Sequence, residues 1–276
     1  MLKDLSKILL ITDLDGTLLP HNKKLLPNDL NAINRFISDG GRFSIATGRP
    51  IQSVANYLKE LKVTDPIILY NGSAIYNSNS EKFVWCDYLN ENAKILINDV
   101  LKAFPDASTE IMTENEIYSF QKNKREEYHI SITNTNPIEC SIDEAGDKWL
   151  KALFAIEPER IDSLIKFIVD QDYNDFTYVQ SCAFFYEVLP KGNSKGTALK
   201  RLRDMVELNN YTIIAIGDYA NDIEMLEFAD IGVATANASD DVKAIADIVL
   251  DKTCDENAIA SVIDYIYNKY EHSEIK

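Results

Sequence analysis

Residues 11–20 read ITDLDGTLLP. The apolar run Ile8 to Ile11 ends in two carboxylates, Asp13 and Asp15, one residue apart, followed by Gly16 and Thr17. Aspartate is a poor strand residue and a good turn residue, so one aspartate at this point needs no more than a turn. Two of them ask for chemistry once other polar groups join them. Carboxylates gathered at one place can share a hard divalent cation, and such a cation can bridge to a phosphate. Three further stretches supply companions: Thr47-Gly48-Arg49 after RFSIA, Asn71-Gly72 after DPIILY, and Asp218, Asn221 and Asp222 in GDYAND after YTIIAI. Lys195 stands near the start of the helical pattern that leads into the last of these.

Each companion follows an apolar run that reads as a strand. PNDLNAINRFIS carries Leu30, Ile33, Phe36 and Ile37 at helical spacing, with Pro27 near its start and Gly40-Gly41 beyond its end. RFSIAT (42–47) is a strand, TGRPIQSVANYLKEL a helix with Ile51, Val54, Leu58 and Leu61 on one face, and DPIILYNG (65–72) a third strand. Strands alternating with helices at these lengths predict a parallel sheet with crossover helices. From about residue 74 the texture changes to a hairpin (74–88), a helix through ENAKILINDVLKAF and a polar, poorly patterned stretch (106–147). WLKALFAI, PERIDSLIKFIVDQ, FTYVQS and FFYEVLP then read as strand, helix, strand and strand. Near residue 191 the first texture returns and runs to a closing helix, ENAIASVIDYIYNKY. The fold class is therefore α/β, a parallel Rossmann-like three-layer core (1–80 plus 190–276) with an inserted α+β cap domain (81–189). In an open parallel sheet ligands bind at the carboxyl ends of the strands, which gathers all of these polar residues on one edge. Bare, Asp13, Asp15, Asp218 and Asp222 would repel one another and some would protonate. A hard divalent cation relieves this, and oxygen ligands with few protein contacts suit Mg²⁺.

DLDGT, then ATGR, then a Lys in SKG, then GDYAND resembles the four ordered motifs of the haloacid dehalogenase superfamily. NGSAIY after the third strand, with a large α/β insertion between the second and third motifs, resembles the Cof-type sugar-phosphate phosphatases. The resemblance implies that Asp13 is the nucleophile and Asp15 the general acid and base. It implies Mg²⁺ held by the Asp13 side chain, the Asp15 carbonyl and Asp218, with Asp222 and Asn221 orienting that shell or the phosphate. Thr47 and Lys195 would hold phosphoryl oxygens, helped by Gly16, Gly48, Arg49, Asn71 and Gly72 along the substrate's approach. Tyr219 stands where the family usually has a small residue, and Thr235-Ala236 where its pattern often reads Met-Gly, which leads us to expect a narrowed cleft and a reshaped loop.

The formal net charge of −16 argues against a nucleic-acid partner. It also means that an anionic substrate must be drawn in by local donors and a cation against the long-range field. No apolar run reaches the roughly 18 residues of a membrane span, and the N-terminus lacks the cleavage site of a signal peptide. Cys86, Cys140, Cys182 and Cys254 form no CxxC pair and read as free thiols in the cytosol. His21, His129 and His272 are scattered and read as surface residues, and the aromatic stretch FTYVQSCAFFYEV reads as cap core. The expected protein is a cytoplasmic Mg²⁺-dependent phosphatase of small phosphorylated metabolites, a monomer or weak homo-oligomer. A phosphomutase on the same core and a non-catalytic phosphate sensor are the alternatives. A P-loop or dinucleotide site lacks its glycine pattern.

Overall fold

The computed structural model describes residues 5–272. The chain opens with β1 (Ile8–Thr12), α1 (Pro27–Ser38), β2 (Arg42–Ile45) and the single-turn α2 (Ile51–Val54). It continues through β3 (Ile67–Leu69) and the hairpin β4 (Ala74–Asn77) and β5 (Lys82–Cys86). The inserted unit holds α3 (Asn92–Ala103), β6 (Ser108–Met112), β7 (Ile117–Phe120), α4 (Lys124–Thr133), β8 (Ile138–Glu139), β9 (Lys151–Ala155), α5 (Pro158–Asp170), β10 (Phe176–Cys182) and β11 (Phe185–Pro190). The core resumes with α6 (Lys195–Met205), β12 (Thr212–Gly217), α7 (Ile223–Phe228), β13 (Ile231–Ala234), α8 (Asp240–Ile245), β14 (Ile248–Val249) and α9 (Ala258–His272).

The core sheet runs β14-β13-β12-β1-β2, all parallel. A parallel bridge from Ala46 to Ile68 brings β3 beside β2. Period-two alternation along β1 builds the three layers. Ile8 and Leu10 join a core with Ile33 and Phe36 of α1 and Ile259, Val262 and Ile263 of α9. Leu9 and Ile11 turn the other way, onto Ala198, Leu199 and Leu202 of α6 and Met225 of α7. A strand buried on both faces has no polar side, which is why β1 is apolar from Ile8 to Ile11. The register sets Thr12 opposite both Ile216 and Ile45, so Asp13, Thr47 and Asp218 leave the sheet at one level.

The cap sheet runs β10-β11-β9-β6-β7-β8. Ile111, Ala152, Phe154, Tyr186 and Val188 pack beneath α3 and α5. The alternate residues turn to the core, where Met112, Leu153 and Phe185 merge with the cluster containing Tyr70 and Val54. Lys151 and Glu187 occupy that same face.

Three local expectations are corrected. The helix expected through residues 47–61 is only α2, followed by a 3-10 turn, Tyr57–Lys59. The third strand stops at Leu69, because Tyr70, Asn71 and Gly72 all take positive φ (52°, 53° and 101°). The polar stretch 106–147 contains β6, β7 and α4. Its patterning is weak because its polar residues are themselves buried, with Ser108, Thr109, Glu110 and Glu126 fully enclosed.

Asp29 of α1 is also enclosed. Its Oδ1 accepts the Ala260 N–H at the start of α9 (2.7 Å), and its Oδ2 has no partner among the described residues. Burial pushes the carboxyl up to about 6, against the hydrogen bond from Ala260. A raised carboxyl contributes its stability below its unfolded value, about 3.9, and loses it as pH rises through about 6. Asp29→Asn is therefore expected to gain roughly 1–3 kcal/mol relative to the parent between pH 4 and pH 7. Urea unfolding of both proteins across that range measures the difference, and a difference that does not change with pH contradicts the assignment.

Candidate active site

The edge where β1, β2 and β12 end opens into a cavity of about 300 Å³. Asp13 lies on its floor, buried, with Oδ1 accepting from Lys195 Nζ at 2.5 Å. Lys195 begins α6, whose N-cap Ser194 and Thr197 form a reciprocal capping box, and its ammonium reaches Asp222 Oδ1 as well, at 2.6 Å. Burial alone would pull that ammonium down; Asp13 and Asp222 outweigh it and hold its proton above the ordinary lysine range. Burial, then Asp222, Asp218 and Asp15, raise the Asp13 carboxyl, while Lys195 opposes them.

Asp222 spends both oxygens within the protein. Oδ1 takes Lys195, and Oδ2 takes the N–H groups of Asp218 (3.0 Å) and Tyr219 (3.2 Å). Asp218 accepts from the Thr17 hydroxyl at Oδ1 (2.8 Å). Its carboxyl is pushed up to about 7 by burial and then by Asp222. Gly16, at φ 88°, is what lets the chain pass this carboxylate, because a Cβ there would overlap the Asp218 side chain. Its carbonyl accepts from Asn237 Nδ2 (2.8 Å). Ligand atoms of Asp13, Asp218 and Asp222 lie within 4.8 Å of one another, a cluster that could hold a metal ion. Among the described residues no donor reaches Asp13 Oδ2 or Asp218 Oδ2, so two carboxylate oxygens are open to a hard cation.

Asp15 points elsewhere. Arg49 clamps it with two N–H groups, Nε to Oδ2 (2.5 Å) and Nη2 to Oδ1 (2.8 Å), and Lys23 Nζ donates to Oδ1 (2.7 Å). Burial would raise this carboxyl, but Arg49 and Lys23 win and hold it well below the usual carboxylate range. Arg49 is itself buried, and its Nη1 donates to Ser53 (2.7 Å) and to the carbonyl of Ile132 in α4 (3.1 Å). One guanidinium thus ties the second aspartate to the cap.

Thr47 lines the cavity, its hydroxyl oxygen accepting from the Arg49 N–H (3.1 Å). Asn71, in its left-handed turn, donates to Glu187 Oε2 (2.7 Å) and accepts from Asn221 (3.0 Å). The Gly48 carbonyl accepts from Lys151 (2.8 Å). So Asp13, Asp15, Thr47, Gly48, Arg49, Asn71, Asp218 and Asn221 line one cavity. Lys195, Asp222 and Gly16 stand behind it. Gly72 does not reach the lining and fits against the Ser194 carbonyl, where a Cβ would collide.

Sequence reasoning missed Lys23, His129, Lys151, Phe184 and Glu187, which also line the cavity. A signal existed for two of them. A lysine inside WLKALFAI and a glutamate inside FFYEVLP are charges within buried strands, and such charges are paired or bind something. His129 is not a surface residue: it is buried, with Nδ1 2.8 Å from Glu110 Oε1. His21 is exposed beside Asp255, and the His272 side chain lies outside the described residues. Of the aromatic stretch, Phe176 and Tyr186 are cap core, whereas Phe184 and Phe185 face the cavity. Tyr219, partly exposed, stands at the same lining. Ala236 is not at positive φ, so this loop does not need the glycine.

Comparison with known proteins adds to this geometry. The model of the haloacid dehalogenase-like hydrolases matches residues 10–263. The chain belongs to that family, in its Cof-type phosphatase branch. It is 29% identical over 248 residues to the 5-amino-6-(5-phospho-D-ribitylamino)uracil phosphatase YitU of Bacillus subtilis, covering 86% of this chain and 90% of YitU. It is 26% identical over 275 residues to the pyridoxal phosphate phosphatase YbhA of Escherichia coli, covering 93% and 96%. A solved haloacid dehalogenase-like hydrolase from B. subtilis superposes with a TM-score of 0.81 at 25% identity, over 94% of this chain and 99% of that one. Among the described residues no helix is long and apolar enough to cross a membrane.

Proposed function

We propose that this enzyme hydrolyses small phosphomonoesters, sugar phosphates or related metabolites, through an aspartyl-phosphate on Asp13 with Mg²⁺ as cofactor. The observation that carries the reading is the state of Asp13: one oxygen pinned by Lys195, the other without a donor among the described residues, at the floor of a cavity. That leaves Asp13 Oδ2 to attack phosphorus. Lys195 and the Thr47 hydroxyl are the groups that offset charge on the phosphoryl oxygens. Arg49 and Lys23 favour the ionised form of Asp15, which suits taking a proton from the water that hydrolyses the acyl-phosphate. Its earlier task, protonating the leaving alcohol, needs the Arg49 clamp to loosen. An incoming phosphoryl group competes with Asp15 for the same guanidinium.

Asp218 Oδ2, with the second lone pair of Asp13 Oδ1, would hold Mg²⁺, which keeps several waters and asks for few carboxylates, and Asp13 Oδ2 stays free to attack. Asp222 would orient this pair through the 218–219 turn and through Lys195. Bound there, Mg²⁺ supplies charge that offsets the phosphoryl oxygens. Around the cavity, Lys23, Arg49, Lys151 and Lys195 stand among Asp13, Asp15, Glu187, Asp218 and Asp222. Four cations against five carboxylates leave a formal charge of −1, and one divalent ion turns the formal count to +1, which answers the repulsion expected from the whole chain. The four cysteines are unpaired, which supports a cytosolic location.

Phosphate release should be screened over sugar phosphates, nucleotides, pyridoxal phosphate and flavin mononucleotide, with Mg²⁺ and with chelator. At least one substrate is expected to turn over, with the rate falling about 100-fold or more on chelation and returning with Mg²⁺. Absence of Mg²⁺-dependent release from every substrate overturns the reading. A phosphomutase would isomerise sugar phosphate without releasing phosphate, and a sensor would bind without turnover.

A further inference from the structure

We propose that the Lys151–Glu187 pair is the specificity-determining reader of the leaving group, and that it selects monophosphates of neutral, polyhydroxylated alcohols over bisphosphates. The inference rests on the phosphatase reading above and deepens it.

Lys151 of β9 and Glu187 of β11 sit on neighbouring antiparallel strands, with Glu187 opposite Leu153. Their side chains are diagonal neighbours on the face turned to the core, and both line the cavity. Nζ and Oε2 are 2.8 Å apart, with side chains only 2% and 5% exposed. A pair so enclosed is weak evidence for stability, because desolvation consumes most of the attraction and an apolar pair would join the strands as well. What distinguishes it is spare capacity aimed at one place. Lys151 has three donors and uses two, on Gly48 and Glu187. Glu187 uses Oε2 twice, for Lys151 and Asn71, while no described residue donates to Oε1. One free donor and one free acceptor stand side by side.

Adjacent hydroxyls satisfy that combination, since each both donates and accepts. A second phosphate does not, because the pair carries no net charge and Glu187 offers it only repulsion. Phe184 and Ile132, which line the same cavity, give the C–H face of a sugar or polyol an apolar surface. At about 300 Å³ the cavity is at the small end of ligand sites, sized for one such unit.

The test uses the full chain with Mg²⁺ and compares kcat/KM for hexose and pentitol monophosphates, a hexose bisphosphate and para-nitrophenyl phosphate, whose leaving group has no adjacent hydroxyls. The parent is expected to favour its best polyhydroxylated monophosphate over the bisphosphate at least tenfold, about the value of one hydrogen bond to a charged group. Glu187→Gln is expected to shift that preference toward the bisphosphate, because Lys151 is then uncompensated. A lone buried charge can unfold the cap, so the double variant Lys151→Met/Glu187→Met is measured too. It is expected to lower the ratio of polyol monophosphate to para-nitrophenyl phosphate about 30-fold or more. A merely structural pair would lower both substrates together and leave that ratio alone, which overturns the inference. So does a parent that turns over bisphosphate equally well, or whose best substrate lacks adjacent hydroxyls. No phosphate release from any substrate overturns the phosphatase reading itself, and this inference with it.

Discussion

Asp13→Asn is expected to lower phosphate release about 10⁴-fold or more, roughly 5.5 kcal/mol in the barrier, while the protein keeps its fold. The amide keeps the shape of the carboxylate but removes the nucleophile. Stability is expected to hold because of the charge count around Lys195. In the parent, one ammonium lies between Asp13 and Asp222, with Asp218 adjacent. Burial and the other carboxylates already push the Asp13 carboxyl up, so its negative charge is not what holds the site together. In the variant, Lys195 and Asp222 form a neutral pair, and the amide oxygen that replaces the carboxylate still accepts from Nζ. Single-turnover phosphate release gives the rate, and thermal unfolding gives the stability. A parent-like rate removes Asp13 as nucleophile. A collapsed fold with an equal loss of activity removes the argument that this carboxylate is there for chemistry.

The core was legible because its strands are apolar on both faces and its helices carry one apolar stripe each. Once β1, β2 and β12 are parallel, register alone brings Asp13, Thr47 and Asp218 to one edge, and Lys195 follows from the start of α6. What could not be read is contact across long separations through partly polar elements. The Asp15 clamp needs Lys23 from the loop after β1 and Arg49, which in turn meets the carbonyl of Ile132, 83 residues away. Nothing in ITDLDGT distinguishes a carboxylate that faces the metal cluster from one turned toward a guanidinium. The cap's share was hidden differently. In β6, β9 and β11 the alternate face is polar yet buried, so Glu110, Lys151 and Glu187 blur the hydrophobic pattern that marks a strand. The left-handed turn at Tyr70 and Asn71 is likewise invisible from DPIILYNG, since a bulky Tyr at positive φ is held there only by its surroundings. Here the surroundings are the cap: the Tyr70 hydroxyl donates to the Thr113 carbonyl (3.1 Å) and Asn71 to Glu187.

Lys195→Met is expected to cost both stability and turnover, and a second substitution separates the two. Removing the ammonium leaves Asp13 and Asp222 buried and facing each other without compensation, a change worth roughly 3–5 kcal/mol. Turnover should fall about 10²–10³-fold, the scale of losing one preorganised charge partner in a transition state. Lys195→Arg is not expected to rescue either, because a planar fork cannot occupy a slot shaped for a compact ammonium. Adding Asp222→Asn to Lys195→Met removes one of the two stranded charges, and the new amide oxygen can still accept the N–H groups of Asp218 and Tyr219. The double variant should therefore recover most of the stability measured by urea unfolding, yet remain as slow as the single variant. If turnover recovers along with stability, Lys195 serves only to neutralise the carboxylates. If stability alone recovers, the ammonium also acts on the phosphoryl group, and its place between Asp13 and Asp222 is what lets one residue do both.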